Sequence, residues 1–525
     1  MTSTTPLGAR PIRVAKRSLA LTLVAGTALA IAGSPALAGP KGERVVKGSA
    51  QIERNGSQTV IRTSNKAIIN FDSFDIGAGE SVQFVQPGAK SRVLNRINGS
   101  SPTKIDGELS ANGRVYIVNP AGVIFGSGSV VNAAGLVAAA GNLSDRDFLA
   151  GVDRLTNITG DISAQGLITA DAVHMIGRRV ANAGTIVADD GVVSLLVGSD
   201  VMLRERDGKI MVRIDGREVD PASGPSAGSG APVDGVGIEN SGDIRAARGA
   251  VTLGAGDAYS LAIRNTGSVR AASGSVTVSA GDGLVRNEGV LSASVEKGRA
   301  GSVTVQGPRV ENAGEVSADA QSGRAGSVEV TSANSTLLAD GSRVSARGGE
   351  GLAQGGEALV HAYSGDTTMQ TGATVDVSGG ALGGDGGWAE VSAAQRLAID
   401  GQLRGDAKTG YKQASLLLDP FNIVIATPGA ESGEVSDGQV LAGEDPGATW
   451  RITPAAIEGF SGNVRLEATN DIFVTENITK NNGGLTFLAG RDISFSTEAG
   501  GLLPSLAISA NFIDFTAGRN IVDRS

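Results

Sequence analysis

The chain has 525 residues, of which 77 are glycine, and it carries 3% aromatic residues, no cysteine and a net charge of −9 at pH 7. The lack of cysteine excludes disulfide bonds and thiolate metal sites. An acidic balance without a basic stripe argues against nucleic acid and anionic membrane surfaces as partners. A chain of this length is expected to form several domains or a repeat architecture.

The first residues have the pattern of an export signal. Basic residues precede the apolar segment 19–31, which is too short to span a bilayer, and Ala36-Leu37-Ala38 follows as an A-x-A cleavage site. Residues 1–38 are therefore predicted to be a signal peptide, cleaved between Ala38 and Gly39. The mature chain is predicted to have no transmembrane segment, because no later apolar run approaches ~18 residues.

The middle of the chain repeats a phrase containing Asn and Gly at a period in the twenties. Its members contain Asn132, Asn157, Asn182, Asn240, Asn265, Asn287 and Asn312. Alternating aliphatic positions broken by Gly, Asn and Asp predict short strands and tight turns. A repeat of this period predicts a solenoid with an interior of small aliphatic side chains. The predicted fold is all-β, a right-handed parallel β-helix.

The recurring asparagines allow two interpretations. Stacked Asn side chains at equivalent positions can hydrogen-bond from coil to coil as a ladder. Alternatively, Asn only tolerates the left-handed conformation of a turn. The substitution Asn265→Gly separates the two, since a loss of stability near zero would favour the turn interpretation.

An insertion interrupts the repeats. Two alternating strands flank Asp207-Gly208 within 201–214, which predicts an extra-helical antiparallel hairpin, and the Pro- and Gly-rich segment 221–232 predicts a loop. The expected domains are the N-terminal β-helix (39–200), the hairpin and loop (201–235), β-helix repeats (236–410) and further coils (411–525). The last region is expected to be incomplete at its C-terminus, because no cap is visible.

The segment 114–126 contains an apolar strand, a turn and a second apolar strand. Pro120 fixes φ for the turn, and Gly122 is suited to the positive φ that such a turn invites. Around it, further short phrases follow in order between Val45 and Asp147. These phrases are 65–77, 81–87, Leu94-Asn95-Arg96-Ile97, 105–107, 112–120 and 135–138.

In these phrases the chain resembles the secretion domain of filamentous haemagglutinin-like exoproteins of two-partner secretion. The resemblance implies export through a cognate outer-membrane β-barrel transporter and a secreted or cell-surface location in a Gram-negative bacterium, reached through the periplasm. It also implies an adhesin or haemagglutinin that binds a host cell surface receptor or glycan. The residues that match the family's motifs are Asn95, Arg96, Asn119, Pro120 and Gly122.

Ala121 stands where the family's turn has a second Asn, so a role of that side chain does not carry over. The turn of Asn119 could be read by the transporter or could shape the first coils. The absence of charge in the turn favours the second interpretation. Three alternatives to the adhesin remain open: the N-terminal part of a contact-dependent toxin-delivery protein, a protein that binds a host carrier such as haemopexin, and a β-helical polysaccharide-degrading enzyme.

The sequence offers little catalytic chemistry, and no catalytic residue, metal or cofactor is predicted. His174 and His361 are the only histidines, and neither has metal-ligand spacing. Gly379–Gly387 has one irregular copy of a calcium-binding nonapeptide, which requires tandem copies. The acidic residues that an enzyme on this fold could use are Asp171, Asp189, Asp190 and Asp385.

Arg404-Gly405-Asp406 matches the tripeptide that integrins bind. It lies between predicted coils, where it could be exposed, and it is a hypothesis for cell binding. A match this short has a high false-positive rate. Equal cell binding by the Asp406→Glu variant would remove the hypothesis.

Overall fold

The computed structural model describes residues 39–206, 209–215, 217–218, 233–256, 259–427, 449–496 and 505–523. The predicted signal peptide, Ala38, the turn residues Asp207 and Gly208 and the predicted loop 221–232 lie outside the described residues. Among the residues that are described, neither of the two short helices has the length and apolar character needed to cross a bilayer.

The described strands are short and follow one another closely. From Gly39 to the first helix they are β1 (Arg44–Lys47), β2 (Ala50–Asn55), β3 (Gln58–Thr63), β4 (Ala67–Phe71), β5 (Ser81–Val85), β6 (Arg92–Ile97), β7 (Thr103–Ile105), β8 (Glu108–Val118), β9 (Val123–Phe125), β10 (Val130–Ala139) and β11 (Asn142–Leu143). Helix α1 (Asp145–Ala150) precedes β12 (Asp153–Thr156), β13 (Ile162–Ala164), β14 (Leu167–Ala170), β15 (Ala172–Gly177), β16 (Val180–Asn182), β17 (Thr185–Val187), β18 (Val192–Val197), β19 (Asp200–Arg206), β20 (Lys209–Ile214), β21 (Arg217–Glu218) and β22 (Val233–Asn240).

The central repeats continue the same pattern. Their strands are β23 (Asp243–Arg245), β24 (Ala250–Ala255), β25 (Tyr259–Asn265), β26 (Ser268–Arg270), β27 (Ser275–Ala280), β28 (Leu284–Asn287), β29 (Val290–Ser292), β30 (Val295–Arg299), β31 (Ser302–Asn312), β32 (Glu315–Ser317), β33 (Ala320–Arg324), β34 (Ser327–Leu338), β35 (Arg343–Ser345), β36 (Ala353–Gln354), β37 (Glu357–Ala362), β38 (Asp366–Met369), β39 (Thr374–Asp376), β40 (Trp388–Ala393), β41 (Leu397–Ile399) and β42 (Gln402–Arg404).

The last region contains strands and one short helix. They are β43 (Ser415–Asp419), β44 (Asn422–Ile425), β45 (Thr449–Ile452), α2 (Pro454–Gly459), β46 (Asn463–Ala468), β47 (Ile472–Val474), β48 (Ile478–Thr479), β49 (Leu485–Ala489), β50 (Asp492–Phe495), β51 (Ile508–Ser509), β52 (Ile513–Ala517) and β53 (Asn520–Asp523).

Equivalent strands of successive coils pair in parallel. One stack, for example, runs β15–β18–β24–β27–β31, and a second runs β16–β22–β25–β28–β31. Inward positions of these strands form one continuous core of aliphatic side chains. At the N-terminal end, β1 and β2 pair antiparallel with β4 and β3. These pairings confirm the predicted parallel β-helix.

The predicted hairpin is confirmed as part of a separate antiparallel sheet. β19 and β20 pair antiparallel, and the five strands lie in the order β11–β12–β19–β20–β21. This sheet and α1 lie against the outside of the coils, and we call residues 142–156 and 200–218 together the strap. The strap shares a second hydrophobic cluster with outward side chains of the coils, including Leu94, Val137 and Leu196.

Five of the repeated asparagines form the predicted ladder. The amide Nδ2 of each of the first four donates to the Oδ1 of the next asparagine at 2.8 Å, and every member is at most 1% exposed. None of the five has a positive φ, so the turn interpretation does not apply to them. The ladder contains Asn182, Asn240, Asn265, Asn287 and Asn312.

Two asparagines assigned to the same repeat are not equivalent to the others, and that part of the prediction was wrong. Asn132 is exposed on β10, opposite Ser110 and Thr169. Asn157 is exposed with φ of 50°, and it returns the chain from the strap to the coils. The turn interpretation therefore holds for Asn157, while the ladder interpretation holds for the buried five.

The glycine two residues after each ladder asparagine has a packing role. A Cβ atom on Gly267 would lie 2.2 Å from the carbonyl oxygen of Gly242 in the preceding coil, and one on Gly289 would lie 2.1 Å from that of Gly267. No side chain fits at such a distance without moving the backbone. The Asn-x-Gly phrase thus combines an inward hydrogen bond with close approach of consecutive coils.

The ladder predicts the outcome of Asn265→Gly. Loss of this side chain leaves Asn240 Nδ2 and Asn287 Oδ1 without their ladder partners in a buried position, which costs about 1–3 kcal/mol. We expect faster amide hydrogen exchange in β25 and β28. Asn132→Gly is the matched control, because it adds the same backbone entropy at a strand position whose side chain is exposed. Equal exchange in the two variants would contradict a stabilising ladder.

Candidate functional site

The turn that follows β8 is closed by its own asparagine. The Asn119 carbonyl accepts from Gly122 N–H at 2.9 Å, and its Oδ1 accepts from Ala121 N–H at 3.0 Å. Gly122 has φ of +115°, as the sequence predicted for this position. The Asn119 side chain is fully buried, and Pro120 and Ala121 are half-buried. The chain therefore holds this turn as a packed structural element.

The same turn connects the coils before and after it. Asn119 Nδ2 donates to Ser101 O at 3.0 Å and to Thr103 Oγ1 at 3.1 Å in the preceding coil. Thr159 Oγ1 of the following coil donates to Pro120 O at 3.1 Å. Gly160 packs so closely that a Cβ atom there would lie 2.5 Å from Pro120 O. These contacts favour a role of the turn in shaping the first coils.

Asn95 and Arg96 lie on β6 and point in opposite directions. Asn95 is fully buried, and its Nδ2 donates to Tyr116 O at 3.1 Å. Arg96 points outward, where it donates to Leu143 O at 2.8 Å and to Asp145 Oδ1 at 2.6 Å. Asp145 is in the first turn of α1, so Arg96 connects the coil to the strap.

Arg92 makes the second connection to the strap, and the sequence analysis missed it. Its guanidinium pairs with Asp153 on β12 and lies 4.7 Å from the ring centroid of Tyr116 and 4.9 Å from that of Phe148. Tyr116 Oη donates to the other Asp153 oxygen at 2.9 Å. A usable signal was present in the sequence, because Arg92, like Arg96, lies on the outward face of β6 at the period of a strand.

A cavity of about 230 Å³ lies where the strap meets the coils. Charged and aromatic side chains line it, among them Arg92, Arg114, Tyr116, Asp153 and His174. His174 is 6% exposed, and burial together with the nearby Arg114 lowers its pKa to about 4. Burial raises the pKa of Tyr116, and Asp153 adds to that rise. With a pKa of about 4, the His174 imidazole is neutral at pH 7.

Asp171, one of the acidic residues considered for chemistry, also lines this cavity. Three of the other candidates have local partners outside it. His361 is stacked edge-on against Tyr363, with ring centroids 4.4 Å apart. The Asp190 carboxylate accepts from Arg248, and Asp385 Oδ1 accepts from Lys412 N–H at 3.0 Å. Within the described ranges, no group of three His, Cys, Asp or Glu side chains is placed to hold a metal ion.

Arg404-Gly405-Asp406 lies at the end of β42. The side chains of Arg404 and Asp406 are exposed, whereas Gly405 is buried, and a Cβ atom there would lie 2.5 Å from the ring of Phe460. Arg404 donates to Gln402 Oε1 at 2.6 Å, and Ser461 Oγ donates to Asp406. The tripeptide is thus part of a packed coil, and its role in cell binding stays a prediction.

The predicted cleavage site borders the described residues. The amide nitrogen of Gly39 donates to Glu80 Oε2 at 3.1 Å, and Gly77 N–H donates to the same oxygen at 2.8 Å. Cleavage before Gly39, which stays a prediction, would place a new ammonium group beside this carboxylate.

The coils, the buried turn and the strap define a β-helical secretion domain. Residues 36–292 match the family model described as the TPS secretion domain. The structure is similar to that of the HMW1 secretion domain from Haemophilus influenzae, with a TM-score of 0.54 and 25% identity, over 73% of this chain and 95% of that one. The resemblance stated from the motifs is confirmed, as is the predicted secreted or cell-surface location, since proteins with this domain are secreted.

Two relatives share the name heme/hemopexin-binding protein. One, from strain Rd of Haemophilus influenzae, is 34% identical over 193 residues, which is 34% of this chain and 21% of the relative. Another from Haemophilus influenzae is 41% identical over 101 residues, which is 19% of this chain and 11% of the relative. The chain thus aligns with about a fifth or less of the length of these relatives. Neither of these two relatives is named as an enzyme.

The buried His174 predicts how stability depends on pH. Its pKa is about 4 in the folded protein and near 6.5 when unfolded, so the unfolded state binds the proton first as pH falls. The stabilisation is complete above pH 6.5 and is lost toward pH 4, by up to about 3 kcal/mol. We expect His174→Gln to flatten this part of the pH dependence of the free energy of unfolding, measured by urea denaturation.

The variant must be compared with the unchanged protein at each pH, because other groups titrate in the same range. The pKa of Asp419 is raised to about 6 by burial and by Glu467 and Glu390, so its protonation stabilises the fold as pH falls. Asp419→Asn is a suitable control, since it should leave the contribution of His174 intact. A pH profile that His174→Gln leaves unchanged would show that the imidazole is not buried by the strap in solution.

Proposed function

We propose that this chain is the exoprotein of a two-partner secretion pair and leaves the cell through a cognate outer-membrane β-barrel transporter. The match of residues 36–292 to the TPS secretion domain carries this proposal. The chain emerges extended and folds outside the cell, with each coil forming on the one before it. Folding outside the cell then biases net movement outward.

The turn of Asn119 is proposed to act in export by starting this folding. Its side chain joins the preceding coil, and its Pro120 carbonyl receives the following one. A secretion domain that cannot complete these first coils would lose the template on which later coils stack. The fully buried side chain of Asn119 supports this role over direct recognition by the transporter.

Export can be tested by co-expression of the full chain with and without the transporter encoded beside it. We expect mature protein in the medium and on the cell surface only when the transporter is present. Asn119→Ala should reduce export strongly, because Ser101 O and Thr103 Oγ1 lose the hydrogen bonds that the Asn119 side-chain amide donates to them. Asn132→Ala is the matched control, since Asn132 is an exposed asparagine in the next coil. Accumulation in the periplasm with or without the transporter would refute the proposal.

We further propose that the exported protein acts by binding a host ligand and not by catalysis. The names of the two relatives favour a host haem carrier as that ligand. The adhesin or haemagglutinin interpretation rests on the exposed Arg404 and Asp406 and on the long solenoid surface. A haem carrier and a host cell surface can be offered to the protein separately, so one experiment distinguishes the two ligand classes.

The purified full chain can be tested against immobilised haem-loaded haemopexin and against cultured epithelial cells. If the protein binds a host haem carrier, it should bind immobilised haem-loaded haemopexin, and Asp406→Glu should not change its binding to the cells. An adhesin that uses the tripeptide should bind the cells and lose that binding in Asp406→Glu, because the variant keeps the charge but moves the carboxylate. Failure to bind either probe would refute both ligand assignments and leave the export proposal untouched.

A further inference from the structure

The residues that follow the predicted cleavage site are fixed against the N-terminal coils. Pro40 is buried, and its carbonyl oxygen accepts from Arg54 Nη2 of β2 at 3.0 Å. Lys41 forms an antiparallel bridge with Ser73, in which Lys41 N–H donates to Ser73 O at 2.9 Å. The chain that begins at Gly39 therefore has a defined place in the fold from its first residue.

Glu80 presents a carboxylate to the nitrogen of this first residue. Its Oε2 accepts from Gly39 N at 3.1 Å and from Gly77 N–H at 2.8 Å. The main chain of Glu80 is held as well, because its N–H donates to Gly77 O and its carbonyl oxygen accepts from Glu108 N–H of the next coil, each at 2.9 Å. Stacking of the coils has thus already ordered the backbone that carries the carboxylate, so a partner at Gly39 does not have to order it.

Hydrolysis of the peptide bond between Ala38 and Gly39 changes the group that faces Glu80. Water cleaves the C–N bond; Ala38 leaves with a new carboxylate on the signal peptide, and the Gly39 nitrogen takes up a proton. The neutral amide, with one N–H donor, becomes an ammonium group with three donors and a positive charge. Charge-assisted hydrogen bonds of this kind are roughly twice as strong as neutral ones.

We propose that the ammonium group of mature Gly39 forms an ion pair with Glu80 and that removal of the signal peptide thereby stabilises the N-terminal coils. The unprocessed chain lacks this charge, so its first coils are less stable than those of the mature chain. Hydrolysis by a signal peptidase is then the reaction that supplies a structural group of the fold. The proposal rests on the predicted cleavage before Gly39 and is independent of the proposed transporter and ligand.

Three other charged side chains lie near the same segment. Arg54, which binds Pro40 O, also pairs with Glu43 at 2.9 Å, and the hydrogen bond from Arg54 lowers the pKa of Glu43. The Glu43 carboxylate therefore offsets the charge of Arg54, which would otherwise oppose a second cation at Gly39. Lys41 is exposed, and the surrounding solvent and salt screen its charge.

The ion pair gives the stability of the mature chain a pH dependence of defined sign. An unpaired α-amino group has a pKa of about 7.7–8.0, and pairing with Glu80 raises this pKa in the folded state. The folded state then binds the proton more tightly than the unfolded state. The stabilisation is complete below about pH 7.5 and is lost as the pH rises through the pKa of the folded state.

Urea denaturation of the purified mature chain, produced without residues 1–38, tests the ion pair. Acetylation of the α-amino group alone should raise the equilibrium constant of unfolding about threefold to tenfold at pH 6.5, and the effect should disappear above about pH 10. Glu80→Gln should remove most of this effect, because the ammonium group then has no carboxylate to pair with. Glu53→Gln is the matched control and should keep the full effect, since Glu53 is an exposed carboxylate of β2 that lies near Arg62.

The reactivity of the terminal amine gives a measurement that is independent of global stability. Only the unprotonated amine is acylated, so at pH 8 the folded unchanged chain should react about threefold or more slowly than Glu80→Gln. Equal rates, together with an equal effect of acetylation in both chains, would overturn the inference. An exported chain whose first residue is not Gly39 by mass spectrometry would overturn it as well. Loss of export without the transporter bears only on the proposed function, because these measurements use purified protein.

Discussion

Stacking of one coil on the next is the constraint on which the rest of this structure depends. The stacked parallel strands form backbone hydrogen bonds with the equivalent strands of the coils on either side, so successive coils must follow the same path. The turns are then forced into close contact. A second glycine column shows how tight the fit is, since a Cβ atom on Gly274, Gly301 or Gly326 would lie within 1.9 Å of a glycine carbonyl oxygen in the preceding coil. The identity of a turn residue is therefore decided by the coil below it.

The strap depends on the same stacking, because its anchors are outward residues of a coil strand. Arg92 and Arg96 flank Leu94 on the outer face of β6, and Leu94 belongs to the second hydrophobic cluster. The ion pair of Arg92 with Asp153 is largely buried, with side-chain exposures of 12% and 18%. Removing one partner of such a pair leaves an uncompensated charge, which typically costs 3–5 kcal/mol. The strap is thus an integral part of the secretion domain.

The sequence predicted the elements that have a local pattern and missed the contacts between segments far apart in the chain. Period and turn residues identified the solenoid, and alternation about Asp207-Gly208 identified the hairpin. The assignment of Asn132 and Asn157 failed because both have the local phrase of the repeat, although the chain leaves the coil path between them to build the strap. Arg92 and Asp153 are 61 residues apart, and no local pattern relates them. The buried contacts of Asn119 were equally invisible, because Ser101 and Thr103 become its neighbours only after the coils stack.

The polar ladders give this stacking a direction. Each of the three central ladder asparagines, Asn240, Asn265 and Asn287, accepts a hydrogen bond from the asparagine of the preceding coil and donates one to that of the next. An incomplete stack therefore lacks one of these bonds. Near the C-terminal end, Asp471 likewise accepts from Arg491 and from Asp492 N–H of the following coil. The asparagine ladder ends at Asn312. Its register partner in the next coil is Leu338, and its Nδ2 donates to Gly314 O at 3.1 Å. Up to Asn312, each new coil of the ladder adds a hydrogen bond that the preceding coil cannot form alone. Folding therefore favours addition of coils in the order in which an exported chain would deliver them.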